Sequence, residues 1–312
     1  LELKSILYIL KHSKTKVLIF HEDYIDLVKN LIKLSKSKIT YIIVFDDNEE
    51  ILSSFRNINK YVKIFHNLNT NSSIDNYYFP KDEWDTLSLN YTSGTTGNPK
   101  GVLYHHRGAY LMCLNNQMVW KMGYHPTYLW TLPMFHCNGW CFPWTIVALA
   151  GTQICLKSVS GKEIIKNLKR HSISHLCGAP IILQMIINEL KNIRLKNKIN
   201  IMTAASPPPP SILEKIEKKG FVVTHVYGLT ESYGPAVISE WKEKWQKIKS
   251  SQKKAQLKSR QGVKYPSLEF LEVMDTKNMR PVNKDGKMIG EVLFRGNIVM
   301  KGYLNNDEAN AK

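Results

Sequence analysis

Acidic side chains are scarce in this chain: 26, against 43 lysines and arginines in 312 residues, for a formal net charge of +17. An excess of that size suits anionic partners such as nucleotides, nucleic acid or anionic lipid. The lysines are spread over many segments, which reads as a bias of the whole composition and not as a nucleic-acid-binding patch. Cysteine is sparse as well. Five residues, odd in number and scattered, fit a reduced cytoplasm better than a disulfide framework. Long apolar runs are missing. The longest, such as "WTIVALAG", is too short to span a bilayer, and the opening "LELKSILYIL" lacks the layout of a signal peptide. There is no initiator Met, and "NNDEANAK" reads as a helix just begun, capped by Asn306 or Asp307 with Glu308 in its first turn. The chain is therefore expected to be a piece cut at both ends.

Two glycine-rich signatures are also absent. A P-loop needs Gly-Lys-Ser/Thr, but Lys100 lies between Pro99 and Gly101. The run "YTSGTTGNPKG" has no G-x-G pair either, which excludes the dinucleotide fingerprint. Its ingredients still suit phosphate. Thr92, Ser93, Thr95 and Thr96 bring hydroxyl donors, Gly94, Gly97 and Gly101 let backbone N–H groups approach an anion, and Lys100 brings charge.

A hydrophobic share of 43% supports a packed core. Residues 15–20 and 41–47 read as buried strands with a helix between them, a βαβ rhythm that implies a mainly parallel sheet covered by helices. Residues 67–86 are polar and read as a connection. Residues 87–93 alternate as a strand, and Tyr110, Leu111, Leu114 and Met118 recur at helical spacing, which would place the phosphate run between a strand and a helix. Residues 174–180 and 221–232 each read as a strand running into a loop, and residues 200–210 as a strand ending in a stiff turn. Helices are expected at 162–173, 180–192 and 211–219, the last with a capping box of Ser211 and Glu214. From about Gln261 the texture changes: "SLEFLEVMD", "GEVLFRG" and "IVMKGYL" read as short strands, with "NKDGK" as a turn, so an antiparallel, barrel-like subdomain is expected to begin there. The fold expected is α/β, with α/β layers over 1–260 and the start of the β-rich part over 261–312.

Residues 132–151 contain no Asp or Glu but offer Phe135, Trp140, Phe142 and Trp144. A buried ammonium without a carboxylate partner is costly, so this stretch suits an apolar acyl or aryl group and not an amino acid. His136, Cys137 and Cys141 supply only three ligands in no recognised zinc spacing, and the two cysteines read as small apolar wall residues. Residues 241–260 are the most basic stretch. Trp241, Trp245 and Ile248 fall on one helical face, which reads as a docked surface helix, with peripheral membrane contact or coenzyme A phosphates as the other readings.

Several of these runs, in order, carry a resemblance. "YTSGTTGNPKG" is similar to the phosphate-binding signature of the adenylate-forming (AMP-binding) superfamily of acyl- and aryl-CoA synthetases, luciferases and peptide-synthetase adenylation domains. "LPMFHCNGW" resembles that superfamily's acyl-pocket segment and "TAASPPPP" its adenine-side loop. "VYGLTES" resembles the loop that holds adenine, phosphate and magnesium, and "GEVLFRGNIVMKGYL" the start of its barrel-like subdomain. The match is dense from Asp85 to Tyr303.

The resemblance implies a ligase that joins a carboxylic acid to ATP as an acyl-AMP and then to coenzyme A. It implies that Thr92, Ser93, Gly94, Thr95, Thr96, Gly97 and Lys100 clasp phosphates, with Lys100 among the catalytic groups. Thr230 would donate to the α-phosphate, Glu231 would hold Mg²⁺, and Tyr227 with Gly228 would face adenine opposite Ala204, Ala205 and Ser206. Phe135, His136, Asn138, Gly139 and Trp140 would line the acid's site, with His136 also in a catalytic role. Many relatives have glycine where Ala204 and Ala205 stand. The superfamily's Thr-Gly-Asp motif, hinge and small C-terminal domain with its lysine have no counterpart after Leu304, so the 312 residues alone are expected to be inactive. Rival readings are a nucleotide-binding module without catalysis and a basic nucleic-acid or membrane-surface protein. The sequence sets no oligomeric state.

Overall fold

The structure is a computed structural model that describes residues 1–35, 39–44, 62–64, 79–92, 98–191, 195 and 197–311, with backbone alone at 42–44 and 62–64. The chain forms two compact units. One comprises Leu1–Lys81, Tyr91–Gly101 and Leu304–Lys312, the other Asp82–Asn90 and Val102–Tyr303. No helix among the described residues is long and apolar enough to cross a membrane.

In the first unit, helix α1 (Leu3–His12), strand β1 (Val17–His21), helix α2 (Ile25–Leu34), strand β2 (Thr40–Val44) and strand β3 (Val62–Ile64) make the expected βαβ start. The three strands are parallel in the order β1-β2-β3. Val28 and Leu31 of α2 pack with Leu10, Phe20, Ile39 and Tyr41, the three-residue spacing that brings one helical face to a core. His12 Nδ1 lies 2.7 Å from the Tyr91 hydroxyl, which ties the end of α1 to the residue that opens the glycine-rich run.

Strand β4 (Thr86–Thr92) leads into that run and strand β5 (Lys100–His105) leaves it. This corrects the expectation of a helix directly after the run: helix α3 (His106–Trp120) starts only beyond β5. His105 caps α3, its Nδ1 accepting from the Gly108 N–H at 2.9 Å. One of the free N–H groups at the helix start is thus satisfied by a side chain. The buried face of α3 also differs from the one expected, although Leu111 of the expected set is partly buried against the core. Tyr110, Leu114 and Met118 are exposed, while Ala109, Met112, Cys113, Asn115, Asn116 and Trp120 are buried. Two buried asparagines broke the apolar pattern. Asn116 donates to the Trp140 carbonyl at 2.8 Å, which permits its burial.

The second unit continues with β6 (Thr127–Trp130), α4 (Phe142–Ala148), β7 (Thr152–Cys155), α5 (Gly161–Arg170), β8 (His175–Gly178) and α6 (Pro180–Leu190). Then come β9 (Ile199–Thr203), α7 (Pro210–Lys218), β10 (Phe221–Leu229), β11 (Gly234–Ile238), α8 (Ser251–Lys258) and β12 (Val263–Lys264). Seven strands form one sheet in the order β12-β11-β10-β9-β8-β6-β7, parallel from β10 to β7 and antiparallel at β11 and β12. Strand alternation sorts the side chains between two cores. Tyr128, Trp130, Cys177, Met202 and Val226 join α3 and α4, while Leu129, Leu176, Ile201 and Val223 join α5, α6 and α7. Both faces of the parallel strands are therefore covered.

Two local expectations differ. Ser211 lies inside α7 with no side-chain cap at Pro209, and Glu214 pairs with Lys218 at 2.8 Å, so no capping box forms. In the basic stretch only Ser251–Lys258 is α-helical. Trp241 and Trp245 meet edge to face at 5.4 Å before it, and Arg260 lies 4.3 Å over the Trp245 ring. Lys258 pairs with Glu217, and Ser251 donates to Glu214 at 2.7 Å, so α8 is docked on α7.

Beyond β12, strands β13 (Leu268–Met274) and β14 (Glu291–Gly296) form the expected antiparallel pair. Asp285 Oδ1 closes the "NKDGK" turn by accepting from the Lys287 and Met288 N–H groups. The "IVMKGYL" run departs from expectation. Its strand β15 (Gly302–Tyr303) leaves that pair and lies antiparallel on β5, in a sheet of order β15-β5-β4. A final short helix α9 (Asp307–Asn310) is capped by Asn306, as its sequence suggests.

Candidate functional site

Strand β10 outruns its neighbour. His225 is in register with Thr203, the last residue of β9, so Tyr227 and Gly228 extend past that end. In an open parallel sheet, the space beyond the carboxyl ends of the strands is where ligands bind. Ala204, Ala205 and Ser206 leave β9 at the same edge, with Ala205 at φ 77. Tyr227 is half-buried, its ring 6.1 Å from that of Phe294. Gly228 is dictated by packing: a Cβ there would lie 1.8 Å from the Gly234 carbonyl oxygen, where β10 meets β11 irregularly.

The chain then turns through Thr230–Ser232 and reverses at Tyr233, φ 62. Ser232 locks the reversal. Its hydroxyl accepts from the Leu229 N–H at 2.9 Å and donates to the Gly234 carbonyl at 2.9 Å. Thr230 and Glu231 of the turn are both held by their main chain. The Tyr104 hydroxyl donates to the Thr230 carbonyl at 2.6 Å, and the Met300 N–H donates to the Glu231 carbonyl at 2.7 Å. Tyr104 is fully buried and stacks on Tyr233 at 4.0 Å. The side chains of Thr230 and Glu231 are left half-exposed. Tyr303 donates to Glu231 Oε1 at 2.7 Å, and among the described residues the second carboxylate oxygen has no hydrogen-bond partner.

The apolar segment meets this turn. Cys137–Trp140 is a tight left-handed turn and not an ordinary helix: Cys137, Asn138, Gly139, Trp140 and Cys141 all have positive φ. Four of these are not glycine, and such residues pay about 1–2 kcal/mol each in that conformation. The surroundings over-determine the turn. Asn138 Oδ1 accepts from Ser88 Oγ at 2.6 Å and from Asn90 Nδ2 at 2.9 Å, both on β4. Gly139, φ 58, has no room for a Cβ, which would come 2.7 Å from the Trp130 ring. Trp140 is buried, and Phe142 lies in the core beside Trp120 and Tyr128, so Phe142 is wall structure and not an open surface. Phe135 and His136 are exposed, their rings 4.6 Å apart.

Cys137 joins the two parts, its Sγ 3.8 Å from Thr230 Oγ1. Burial pushes its thiol pKa up, with Glu231 adding to the rise, so the sulfur stays protonated and donates to Thr230. Burial does the same at Cys141. Two protonated thiols do not make a metal site. Among the described residues the only cluster with metal-ligand spacing is His21, Glu22 and Asp23 at the end of β1, a surface group in the other unit with an internal His21–Asp23 pair at 3.2 Å. Glu231 suits Mg²⁺ better by its chemistry: one hard carboxylate, one oxygen of it uncommitted, is the protein share a phosphate-bound Mg²⁺ commonly takes.

The structure thus brings Tyr227 and Gly228 to the end of β10, Thr230 and Glu231 into the turn that follows it, Ala204–Ser206 to the neighbouring strand end, and Cys137 against Thr230. Of the phosphate run, Thr92 ends β4 and Lys100 opens β5, both in the first unit, while Ser93, Gly94, Thr95, Thr96 and Gly97 lie outside the described residues. Sequence reasoning missed Tyr104 and Tyr303. Tyr104 stands just past one quoted motif and Tyr303 inside another, but a hydroxyl that reaches 126 or 72 residues along the chain leaves no local pattern.

The AMP-binding enzyme family matches residues 1–304. An acetate/butyrate–CoA ligase of Arabidopsis thaliana, a peroxisomal protein, is 41% identical over 98% of this chain and 56% of its own length. A peroxisomal trans-cinnamate:CoA ligase of Petunia hybrida is 38% identical over 99% of this chain and 56% of its own. The o-succinylbenzoate CoA synthetase of Bacillus subtilis, solved with ATP and magnesium, superposes with a TM-score of 0.72 at 20% identity, over 100% of this chain and 57% of that one. This chain therefore spans a little over half the length of these relatives. It belongs to the AMP-binding enzyme family.

Proposed function

We propose that the full-length protein is an AMP-forming acid–CoA ligase for an apolar carboxylic acid. The observation that carries this is the contact of Cys137 with Thr230: it sets an apolar segment without charged residues against the loop suited to nucleotide. The relatives are named for acetate, butyrate and trans-cinnamate, short aliphatic and aryl acids of the class expected from residues 132–151.

In the first half-reaction, the acid's carboxylate oxygen attacks the α-phosphorus of ATP, the bond to the β-phosphate oxygen breaks, and pyrophosphate leaves. In the second, the coenzyme A sulfur attacks the acyl carbon, the bond to AMP breaks, and the thiol proton is released. Charge accumulates on phosphate oxygens in the first step, so fixed donors in a pre-formed loop stabilise it. We assign Thr230 the donor role at the α-phosphate, where Cys137 orients its hydroxyl. Tyr227 and Gly228 present a flat surface to adenine opposite Ala204, Ala205 and Ser206. Glu231 is assigned the metal. Mg²⁺, when bound, neutralises charge on the phosphates. Thr92, Lys100 and the glycines between them are assigned the β- and γ-phosphates. Phe135 and His136, exposed beside the turn, contact the acid, while Asn138, Gly139 and Trp140 hold the turn's shape.

The test is a panel of acids offered to the full-length protein with ATP and coenzyme A, scored by pyrophosphate release. Short aliphatic and aryl acids should be activated and amino acids rejected. Preference for a free amino acid overturns the apolar-acid reading, and ATP binding without acid-dependent turnover favours a non-catalytic nucleotide-binding module.

A further inference from the structure

We infer that Tyr303 is a positioning residue for the metal carboxylate: its hydroxyl fixes Glu231 through one oxygen and leaves the other to a divalent cation. The inference rests on the function proposed above and adds a residue to it.

The segment around β15 holds Glu231 twice. The Met300 N–H takes the Glu231 carbonyl at 2.7 Å, and three residues later the Tyr303 hydroxyl takes its carboxylate at 2.7 Å. The segment is itself fixed to β5. Gly302 pairs with Leu103, Tyr303 pairs with Val102, and the Lys301 N–H donates to the Leu103 carbonyl at 2.9 Å. Val102 and Tyr104 of β5 are fully buried, so the hydroxyl is presented from an anchored frame.

The chemistry of the donor matters more than its presence. A lysine or arginine here would neutralise Glu231 and compete with the cation. The nearest candidate in the segment, Lys301, is turned elsewhere, its ammonium donating to the Trp84 carbonyl at 3.0 Å. Among the described residues Glu231 has no ion-pair partner. A phenol orients a carboxylate and leaves its charge in place. Groups that orient a ligand's second atom commonly change metal affinity by about 10–100-fold when removed.

The experiment uses the full-length protein with Mn²⁺ as the probe, bound with a non-hydrolysable ATP analogue and followed by electron paramagnetic resonance, beside the Mg²⁺ dependence of pyrophosphate exchange. Tyr303→Phe should weaken Mn²⁺ about tenfold and raise the half-saturating Mg²⁺ by a similar factor, with the thermal midpoint held. In a Glu231→Gln background, Tyr303→Phe should change neither quantity further. Glu231→Asp, which draws the carboxylate back from Tyr303, should reproduce the weakening and serves where Tyr303→Phe does not fold. Unchanged Mn²⁺ affinity in the folded Tyr303→Phe or in Glu231→Asp overturns the assignment, as does a full additional loss in the Glu231→Gln background. A wild type that neither binds Mn²⁺ with the analogue nor exchanges pyrophosphate fails at an earlier point and overturns the function as well.

Discussion

The Tyr104 hydroxyl donates to the Thr230 carbonyl at 2.6 Å, across 126 residues of chain. Tyr104 lies on the strand that leaves the glycine-rich run, and Thr230 on the turn at the end of β10. The same carbonyl also accepts from the Tyr233 N–H at 3.2 Å, so removing the tyrosine oxygen does not orphan it. Tyr104→Phe should therefore cost only about 1 kcal/mol of stability, the net value of one hydrogen bond. Pyrophosphate exchange by the full-length protein should fall by about tenfold or more, because a loosened turn misplaces Thr230. Urea unfolding and the exchange assay, run on the same preparation, separate the two effects. A large stability loss with normal exchange would mean that Tyr104 serves the core alone.

The left-handed turn makes a prediction about Asn138. Replacing it by alanine removes the acceptor shared by Ser88 and the buried Asn90, and leaves a Cβ residue at φ 44. The expected loss is about 2–4 kcal/mol, the sum of one unpaired buried group and the strain. Asn138→Gly should lose less, since glycine adopts that φ freely. Equal losses in the two variants would show that the hydrogen bonds alone matter.

How much of this could be read from the residues differs by level. The parallel βαβ layers announced themselves through β-branched strands and amphipathic helices such as α2, where local pattern and tertiary burial agree. At α3 they disagree, because Asn115 and Asn116 are buried and Tyr110 and Met118 are not. Periodicity counts apolar residues and cannot see an asparagine whose amide N–H donates to another element, as Asn116 does to the Trp140 carbonyl. The phosphate run was expected to open a helix because β5, only six residues long, was hidden by its glycine and histidine. Motif order singled out the Thr230–Glu231 loop as the candidate site. It did not disclose Tyr104, Tyr303 or the five positive φ values at Cys137–Cys141, all of which depend on partners distant in sequence.

A third prediction concerns pH. His175 is buried beside Trp120, and burial lowers its pKa to about 4. The unfolded chain protonates this histidine near its ordinary value of about 6.5, so between those values the unfolded state holds more protons. Stability is therefore complete above about pH 6.5 and is lost as pH falls towards 4, by on the order of 3 kcal/mol from this group. His105 and His225, also shifted down by burial, act in the same direction. Unfolding midpoints measured from pH 7.5 to 4.5 should show the fall, and His175→Gln should flatten it in part. A slope identical in the variant would remove His175 as a contributor.

The central claim is that the Thr230–Glu231 turn is where a carboxylic acid becomes an acyl-AMP, with Glu231 as the metal's carboxylate. Acid-dependent exchange of labelled pyrophosphate into ATP, measured on the full-length protein and on its Glu231→Gln variant, tests it most directly. The account predicts robust exchange in the wild type and a fall of about 10²–10³ in the variant, with unfolding unchanged. Exchange at the wild-type rate in a folded Glu231→Gln protein would contradict it.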